Sequence, residues 1–372
     1  MDLKNLVILA TTIPGLEEVA LEEVKEIVGN EGQKEHRGMI RFKSDESGVF
    51  SLNYISKTLH RVLVLIDEFS FDGLSDIYEE VLELDFARFL NPDQSFSVRM
   101  NRHGEHRFTS VDVEGEVGQA IIDSFRESKS KRLEVDLEDP DIIFRGEVRN
   151  DRFWLSIDTT GMDSLHKRSY RTSGHPAPLK PTIANSLVRL SGWGKGESLI
   201  DPMCGTGTIC IEAALRGNKM PNPFAGSLDL FNLDFLDMEN FSEMKKEYDG
   251  AVENRDLSIM GSDISELYLE YARRSADKIG MDIDFELADS REMRLNHDRI
   301  VTNMPFGVRM GSKDEVRSLC DDFVSNLMDF NWKRAVVLSD FPEIFPDSFL
   351  KESMEVIYGN RPVKVIILDK DL

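Results

Sequence analysis

Apolar and polar positions follow two different rhythms along this chain. From Ser198 onward, short apolar runs end in a polar or acidic residue and lead into helical spacing. The runs Ser198–Asp201, Asp256–Asp263, Ile283–Ala288, Arg299–Asn303, Ala335–Ser339, Met354–Tyr358 and Val363–Leu368 read as strands. An alanine-rich helix after Gly207 and a helix over Glu266–Lys278 lie between them. Strand and helix alternate from roughly 198 to 372, which predicts a parallel-type α/β sheet. Residues from Gly217 to Arg255, with Pro221, Pro223 and Gly226, are long for one link between strands. They read as an insertion whose role the pattern does not disclose.

The first half has no such regular alternation. Leu6–Ala10 predicts a strand, and Pro14 to Gly29 an amphipathic helix with Leu16, Val19, Ala20, Val24 and Ile27 on one face. Gly38–Phe42 reads as a strand and Val49–Leu59 as helical. A strand from Ser95 opens into a loop rich in Arg and His, and Thr109 caps the helix that follows. Two paired strands are expected within 135–148 and 152–161. This mixture predicts an α+β half, with no internal repeat.

Charge narrows the choice of partner. The 372 residues carry 45 Lys and Arg against 68 Asp and Glu, a net charge of −23. Residues 1–160 are net −14 and residues 193–372 net −13, whereas 161–192 are net +4. Promiscuous nucleic-acid binding grows with the number of phosphates neutralised, so the net charge argues against it and leaves local patches as the route. Candidate patches are Arg99, Arg102 and Arg107 in the loop region, and Lys167, Arg168 and Arg171 in the basic segment. The alternative for the basic segment is pairing with acidic domain surfaces. The three cysteines form no Cys-x-x-Cys pair and the seven histidines are scattered, so no metal site is expected. Cys204 reads as a packing residue rather than a nucleophile. So few cysteines suit a reducing compartment, and Leu6–Ala10 is too short for a signal or a membrane span. A cytoplasmic monomer without membrane contact is expected.

The chemistry concentrates at two turns. Asp201-Pro-Met-Cys204-Gly205-Thr206-Gly207 joins a strand to a helix through two glycines, which permit positive φ and a close ligand approach. It lacks the Gly-Lys-Ser/Thr end of a phosphate loop and the third glycine of a dinucleotide fingerprint. Asp201 suits a ligand with an ammonium or sulfonium charge better than a pyrophosphate. Asp263, at the end of the next strand, is placed either to accept from ribose hydroxyls or to cap a helix. Asp289 and Ser290 follow the third strand, where the choice is an adenine contact or a solvated turn. Asn303-Met-Pro305-Phe306 then ends a later strand. It combines an amide acceptor, a donor-free proline turn and a ring for stacking, the groups needed to hold a planar exocyclic amine.

The loop Asp201-x-x-Cys204-Gly-Thr-Gly207 resembles the AdoMet-binding loop of class I methyltransferases, and Asn303-Met-Pro-Phe306 resembles the Asn/Asp-Pro-Pro-Tyr/Phe motif of enzymes that methylate planar nitrogens. Phe96–Ser110 and the strands up to Asp158 resemble a THUMP domain, an RNA-binding module. With Leu165–Arg171 and Pro178–Ala184, the order of motifs is similar to the THUMP-containing guanosine N2-methyltransferases of the TrmN type. The resemblance implies a ferredoxin-like domain over 1–65, a THUMP domain over 66–160, a basic linker over 161–192 and a Rossmann-like methyltransferase domain over 193–372. It implies S-adenosyl-L-methionine on Asp201, Cys204, Gly205, Thr206, Gly207, Asp263, Ile264, Asp289, Ser290 and Asn303. It also implies methyl transfer at Asn303, Pro305 and Phe306 to the N2 of a tRNA guanosine, at position 6 of the acceptor stem, with the tRNA 3′ end on the THUMP half. Phe306 departs from the tyrosine of many relatives, keeping the stack and losing a hydroxyl. Methylation of an rRNA guanosine, methylation of a protein glutamine, and a non-catalytic RNA scaffold are the alternatives.

Overall fold

The computed structural model describes residues 2–172, 179–305, 313–359 and 361–370, with the side chain of Lys313 left aside. In the first half, β1 (Leu6–Thr11), α1 (Glu17–Val28), β2 (Gly32–His36), β3 (Met39–Ser44) and α2 (Glu46–Ile55) precede the long β4 (Arg61–Ser70). Then come α3 (Leu74–Leu82), β5 (Ser95–His103), α4 (Ser110–Lys129), β6 (Glu134–Val135), β7 (Ile142–Arg149) and β8 (Arg152–Asp158). Thr109 and Asp112 form a reciprocal capping box at the start of α4, as the Thr109 signal predicts. Gly29 ends α1 in the left-handed conformation and donates to the Lys25 carbonyl.

These strands make one sheet, in the order β2-β3-β1-β4-β8-β7-β5-β6. β4 is shared: Thr11 faces Arg61 and Ile8 faces Val64 on one side, while Val64 faces Ile157 and Phe69 faces Phe153 on the other. The expected boundary at residue 65 therefore falls inside a strand common to both small domains.

The second half begins with α5 (Pro181–Leu190), followed by β9 (Leu199–Asp201), α6 (Thr208–Gly217), α7 (Met238–Gly250), β10 (Ile259–Asp263), α8 (Glu266–Asp277) and β11 (Asp284–Leu287). It closes with β12 (Arg299–Asn303), α9 (Lys313–Met328), β13 (Arg334–Ser339), β14 (Leu350–Tyr358) and β15 (Arg361–Asp369). The sheet order is β11-β10-β9-β12-β13-β15-β14. β9 to β13 pair in parallel, as the alternation predicts. The final hairpin departs from that expectation: β15 runs antiparallel to both β13 and β14. Gly359, at φ 64°, serves the tight turn between β14 and β15, so no crossover helix is needed.

The halves share their hydrophobic cores. Ile13, Leu16 and Val19 pack with α5, α6 and the second sheet. Leu230, Leu233, Leu236 and Phe241, from the insertion, pack into the core of the first half with Phe50, Phe86 and Phe144. The insertion is thus a clasp reaching from the catalytic side onto the other half. At a third contact, Ile357 N–H donates to the Pro14 carbonyl at 3.0 Å. Gly15 lies there at φ 100°, and a Cβ on it would meet the Glu355 carbonyl oxygen at 2.0 Å.

Candidate functional site

The order of the second sheet reverses at β9, since β10 and β11 lie on one side and β12 and β13 on the other. Ligands of open α/β sheets bind at such a switch point, beyond the carboxyl ends of the strands. Every residue singled out in the second half, up to Pro305, sits on those ends or in the turns after them.

Asp201 ends β9 and is 1% exposed. Its Oδ1 accepts from Thr302 Oγ1 at 2.7 Å and from the Met203 N–H at 3.1 Å. Burial pushes this carboxyl up to about 7, against the two hydrogen bonds that favour its charge, and Asp263 adds to the rise. The loop then folds on itself. Gly207 N–H donates to the Cys204 carbonyl and Cys204 N–H to the Ser262 carbonyl, both at 2.8 Å. Gly205 and Gly207 take φ of 52° and 77°, and a Cβ on Gly207 would press on Phe285 and Ala272 at 3.0 Å. The Cys204 thiol is buried, and burial raises its pKa far above the ordinary value, so it stays protonated and packs.

Asp263 ends β10 and ties the glycine loop to the turn that follows it. Its Oδ2 accepts from Gly205 N–H and its Oδ1 from Ser265 N–H, each at 2.9 Å. A carboxylate offers about four lone-pair sites, so one on each oxygen remains for a further donor. Ile264 beside it is 66% exposed, an apolar surface left open at the pocket edge. Thr206 is half-buried on the loop and Ser290 is buried. The Asp289 carboxylate accepts from Arg291 Nε and Nη2, which hold it below its ordinary range.

Asn303 ends β12 beside this pocket, one residue after Thr302. Met304 N–H donates to the Leu338 carbonyl at 3.0 Å, fixing the turn at the edge of the sheet. Among the described residues, the buried Asn303 Oδ1 accepts no hydrogen bond. An amide oxygen without a partner costs free energy unless a ligand supplies the donor. Pro305 follows, half-buried. Phe306 lies outside the described residues.

Two supporting residues were missed from sequence. Thr302 holds Asp201, and only its place next to Asn303 could have drawn attention to it. Asn326, on α9, donates to the carbonyls of Ser290 and Met293 at 2.9 and 3.0 Å, fixing the turn after β11. Nothing in the local pattern around Asn326 signals that contact.

The proposed RNA contacts divide. Arg107 and Lys167 are exposed, and Arg99, Arg102 and Arg171 half-buried. Arg99 donates to the Leu137 carbonyl, Arg102 to the Gly104 carbonyl and His106, and Lys167 pairs with Asp163. Arg168 must be corrected. It is 3% exposed, and its guanidinium is consumed by Glu212, Asn222 and the carbonyls of Leu165 and Lys57. It therefore presents nothing to an RNA. The segment expected as a linker also contains α5, packed into the shared core. Among the described residues, no group of three or more His, Cys, Asp or Glu is placed to hold a metal, and no helix is long and apolar enough to cross a membrane.

Comparison with known proteins identifies the domains. The model of the RMKL-like methyltransferase domain matches residues 168–358, that of the THUMP domain 72–158, and that of the RlmL ferredoxin-like domain 7–63. The chain is 36% identical over 375 residues to the tRNA (guanine(6)-N2)-methyltransferase of Methanocaldococcus jannaschii, covering 96% of this chain and 98% of the relative. The solved structure of a possible methylase from Clostridium difficile 630 superposes with a TM-score of 0.89 at 27% identity, covering 98% of each chain. That of SMU.472 complexed with SAH superposes with a TM-score of 0.87 at 22% identity, again covering 98% of each chain.

Proposed function

We propose that this chain, which belongs to the THUMP-bearing RMKL-like methyltransferase family, transfers a methyl group from AdoMet to the exocyclic N2 of a guanosine in tRNA. The observation that carries the reading is the buried Asn303 Oδ1, unpartnered among the described residues, at the mouth of the AdoMet-type loop. The target we propose is guanosine 6, the position in the name of the archaeal relative, and its place in the acceptor stem is part of the same proposal. A tRNA substrate in turn implies a cytoplasmic location.

The residues present fit AdoMet. Asp201 offers a buried acid to a cationic group, Asp263 keeps lone pairs for ribose hydroxyls, and Ile264 offers an apolar surface to a base. When bound, the cofactor supplies an activated methyl on a sulfonium. The protein's task is then orientation. Guanine N2 is a poor nucleophile because its lone pair is delocalised into the ring. Asn303 Oδ1 would accept one amine hydrogen and the Met304 carbonyl the other, turning the lone pair toward the methyl. Asn303 is no base at neutral pH, so alignment carries most of the acceleration, worth at most ~7–11 kcal/mol, and the proton leaves to water after transfer, once the amine is cationic and acidic. A stem guanosine must leave its stack, which costs a few kcal/mol. Phe306 is proposed to offset part of this by stacking.

Transfer from labelled AdoMet to purified tRNA, rRNA and protein fractions, followed by mapping of the labelled nucleotide, tests the reading. Label at guanosine 6 of tRNA is expected. Label confined to rRNA or to a protein glutamine would replace the substrate, and no label at all would leave an RNA-binding scaffold.

A further inference from the structure

We propose that the junction between the two halves contains a binding site for a backbone phosphate of the RNA, formed by Lys180, Arg171 and Lys167 around the paired imidazoles of His60 and His166. The inference rests on RNA being the substrate, and joins the sequence candidates Lys167 and Arg171 to Lys180 and two histidines that the sequence did not single out, in one anchoring point.

Three segments from different parts of the chain converge here: the residue before β4, the turn from Ser164 to Arg171, and the start of α5. The His60 and His166 rings lie 5.2 Å apart. His60 Nε2 is in hydrogen-bond contact with Thr182 Oγ1 at 3.0 Å, and His166 Nδ1 with Ser164 Oγ at 2.7 Å. Each ring is thus fixed through one nitrogen, and among the described residues no hydrogen bond occupies His166 Nε2. Lys180 is the N-cap of the ten-residue α5, whose positive end faces the same place.

The charges are arranged unusually for so acidic a chain. Among the described residues, Lys180 and Arg171 form no ion pair, although the protein holds 68 carboxylates against 45 cations. Lys167 pairs with Asp163, and Arg168, inside the protein, with Glu212. Burial is the largest influence on both histidines. Lys180, Arg168, Arg171 and Lys167 then drive His166 further down, to about 4. His166, Lys180, Arg168 and Arg61 act likewise on His60, which falls to about 3. Tyr358, at the end of β14, also lies within the influence of Arg171. The Ser164 hydroxyl donates to the His60 carbonyl at 3.1 Å, so His166 Nδ1 donates to Ser164 Oγ, and His166 Nε2 becomes a donor when the ring takes up a proton in the field of these cations. A phosphodiester fits this site: one delocalised negative charge, with non-bridging oxygens that accept from an ammonium and a guanidinium together.

The same geometry predicts a proton linkage. A phosphate beside His166 would raise its pKa above the value in the free protein, so the complex binds a proton that the free protein does not. Affinity for RNA then grows as pH falls from neutral toward 5, with a limiting slope of about one logarithm per pH unit for one proton.

The test uses the full chain and an unmodified tRNA transcript, with binding followed by anisotropy across salt concentration and pH. Lys180→Ala and Arg171→Ala should each weaken binding and reduce the salt slope by about one unit, while AdoMet affinity stays unchanged. His166→Ala should remove most of the pH dependence. Lys246→Ala, on the acidic α7, should match wild type in both. Wild-type slopes in both cation variants, with tRNA still bound, would overturn the site and leave the RNA reading standing. A wild-type protein that binds no tRNA would overturn the RNA reading itself. Binding of inorganic phosphate at His166, read from its NMR shift, as tight as that of tRNA would assign the site to a free anion and overturn the proposal.

Discussion

Asp201 is the residue whose charge the site must control. Burial pushes its carboxyl up to about 7, and a cationic ligand favours the ionised form. Its pKa falls on binding, so affinity is full above about 7 and declines as pH drops through that value, by up to about tenfold per unit. Calorimetry of AdoMet binding between pH 6 and pH 8 should show this decline, and Asp201→Asn should flatten and weaken it. Thr302→Val removes a buried donor to that carboxylate, so the decline should begin at higher pH, whereas Thr302→Ser should restore it. Asn303→Ala should abolish methyl transfer with AdoMet and tRNA affinities near wild type, and near-normal turnover would sink the orienting role. The strand-end positions of Asp201, Asp263 and Asn303 were legible in the sequence, because a strand followed by a turn is a local pattern. Arg168 was misread because its partner Glu212 lies 44 residues away, and burial is not written in the neighbouring letters.

At the scale of elements, that error exposes how α6 is supported. Glu212 on α6 accepts from Arg168 Nε and Tyr170 OH, both at 2.9 Å, and from Asn185 of α5 at 3.1 Å, with its side chain fully buried. The helix that begins at the AdoMet-type loop is thereby tied to α5, to the Tyr170 segment and, through Arg168, to the Lys57 carbonyl of the other half. Arg168→Met leaves that carboxylate buried without its cation, which costs about 3–5 kcal/mol. Urea unfolding should show a loss of this size, and Arg168→Met with Glu212→Gln should recover part of it. If Arg168→Met instead kept full stability and lowered the salt slope of tRNA binding, the residue would belong to the RNA surface after all. Strands with clear periodicity, such as β7 and β8, were legible. β4 was not recognised, because its role is to pair with β1 and β8 at once, and pairing across about ninety residues leaves no local trace. The last hairpin was read as parallel-type for the same reason, since strand direction follows from the tight turn at Gly359 rather than from the apolar runs.

At the scale of the molecule, the sequence divides into a small-domain half and a catalytic half, but the packing does not. Two cores cross that division: Ile13 and Leu16 before α1, with Val19 on it, enter the catalytic side, and the insertion contributes Leu230, Leu233, Leu236 and Phe241 to the other. Arg189 adds a buried link from α5 to Glu23 at 3.0 Å. Although burial opposes its charge, Glu23 is held down at about 2 by Arg189, Lys57 and the hydroxyls of Thr58 and Ser56. Separate domains joined by a mobile linker would unfold in separate steps, whereas halves with common cores lose their packing together. Scanning calorimetry of the full chain should therefore show one transition, and AdoMet should move all of it upward by mass action. Two resolved transitions, only one of them moved by AdoMet, would contradict the shared cores. The same packing governs what truncation can report. A fragment of residues 161–372 would leave the four apolar residues of the clasp facing water, so it should aggregate rather than behave as a free catalytic domain. Replacing those four by polar residues should reduce the aggregation read by light scattering but not abolish it, because the fragment also lacks Ile13, Leu16 and Val19 over α5 and α6, and it should not methylate tRNA. If the unaltered fragment proved monomeric and methylated tRNA at full rate, neither the clasp nor the THUMP half would be needed for function.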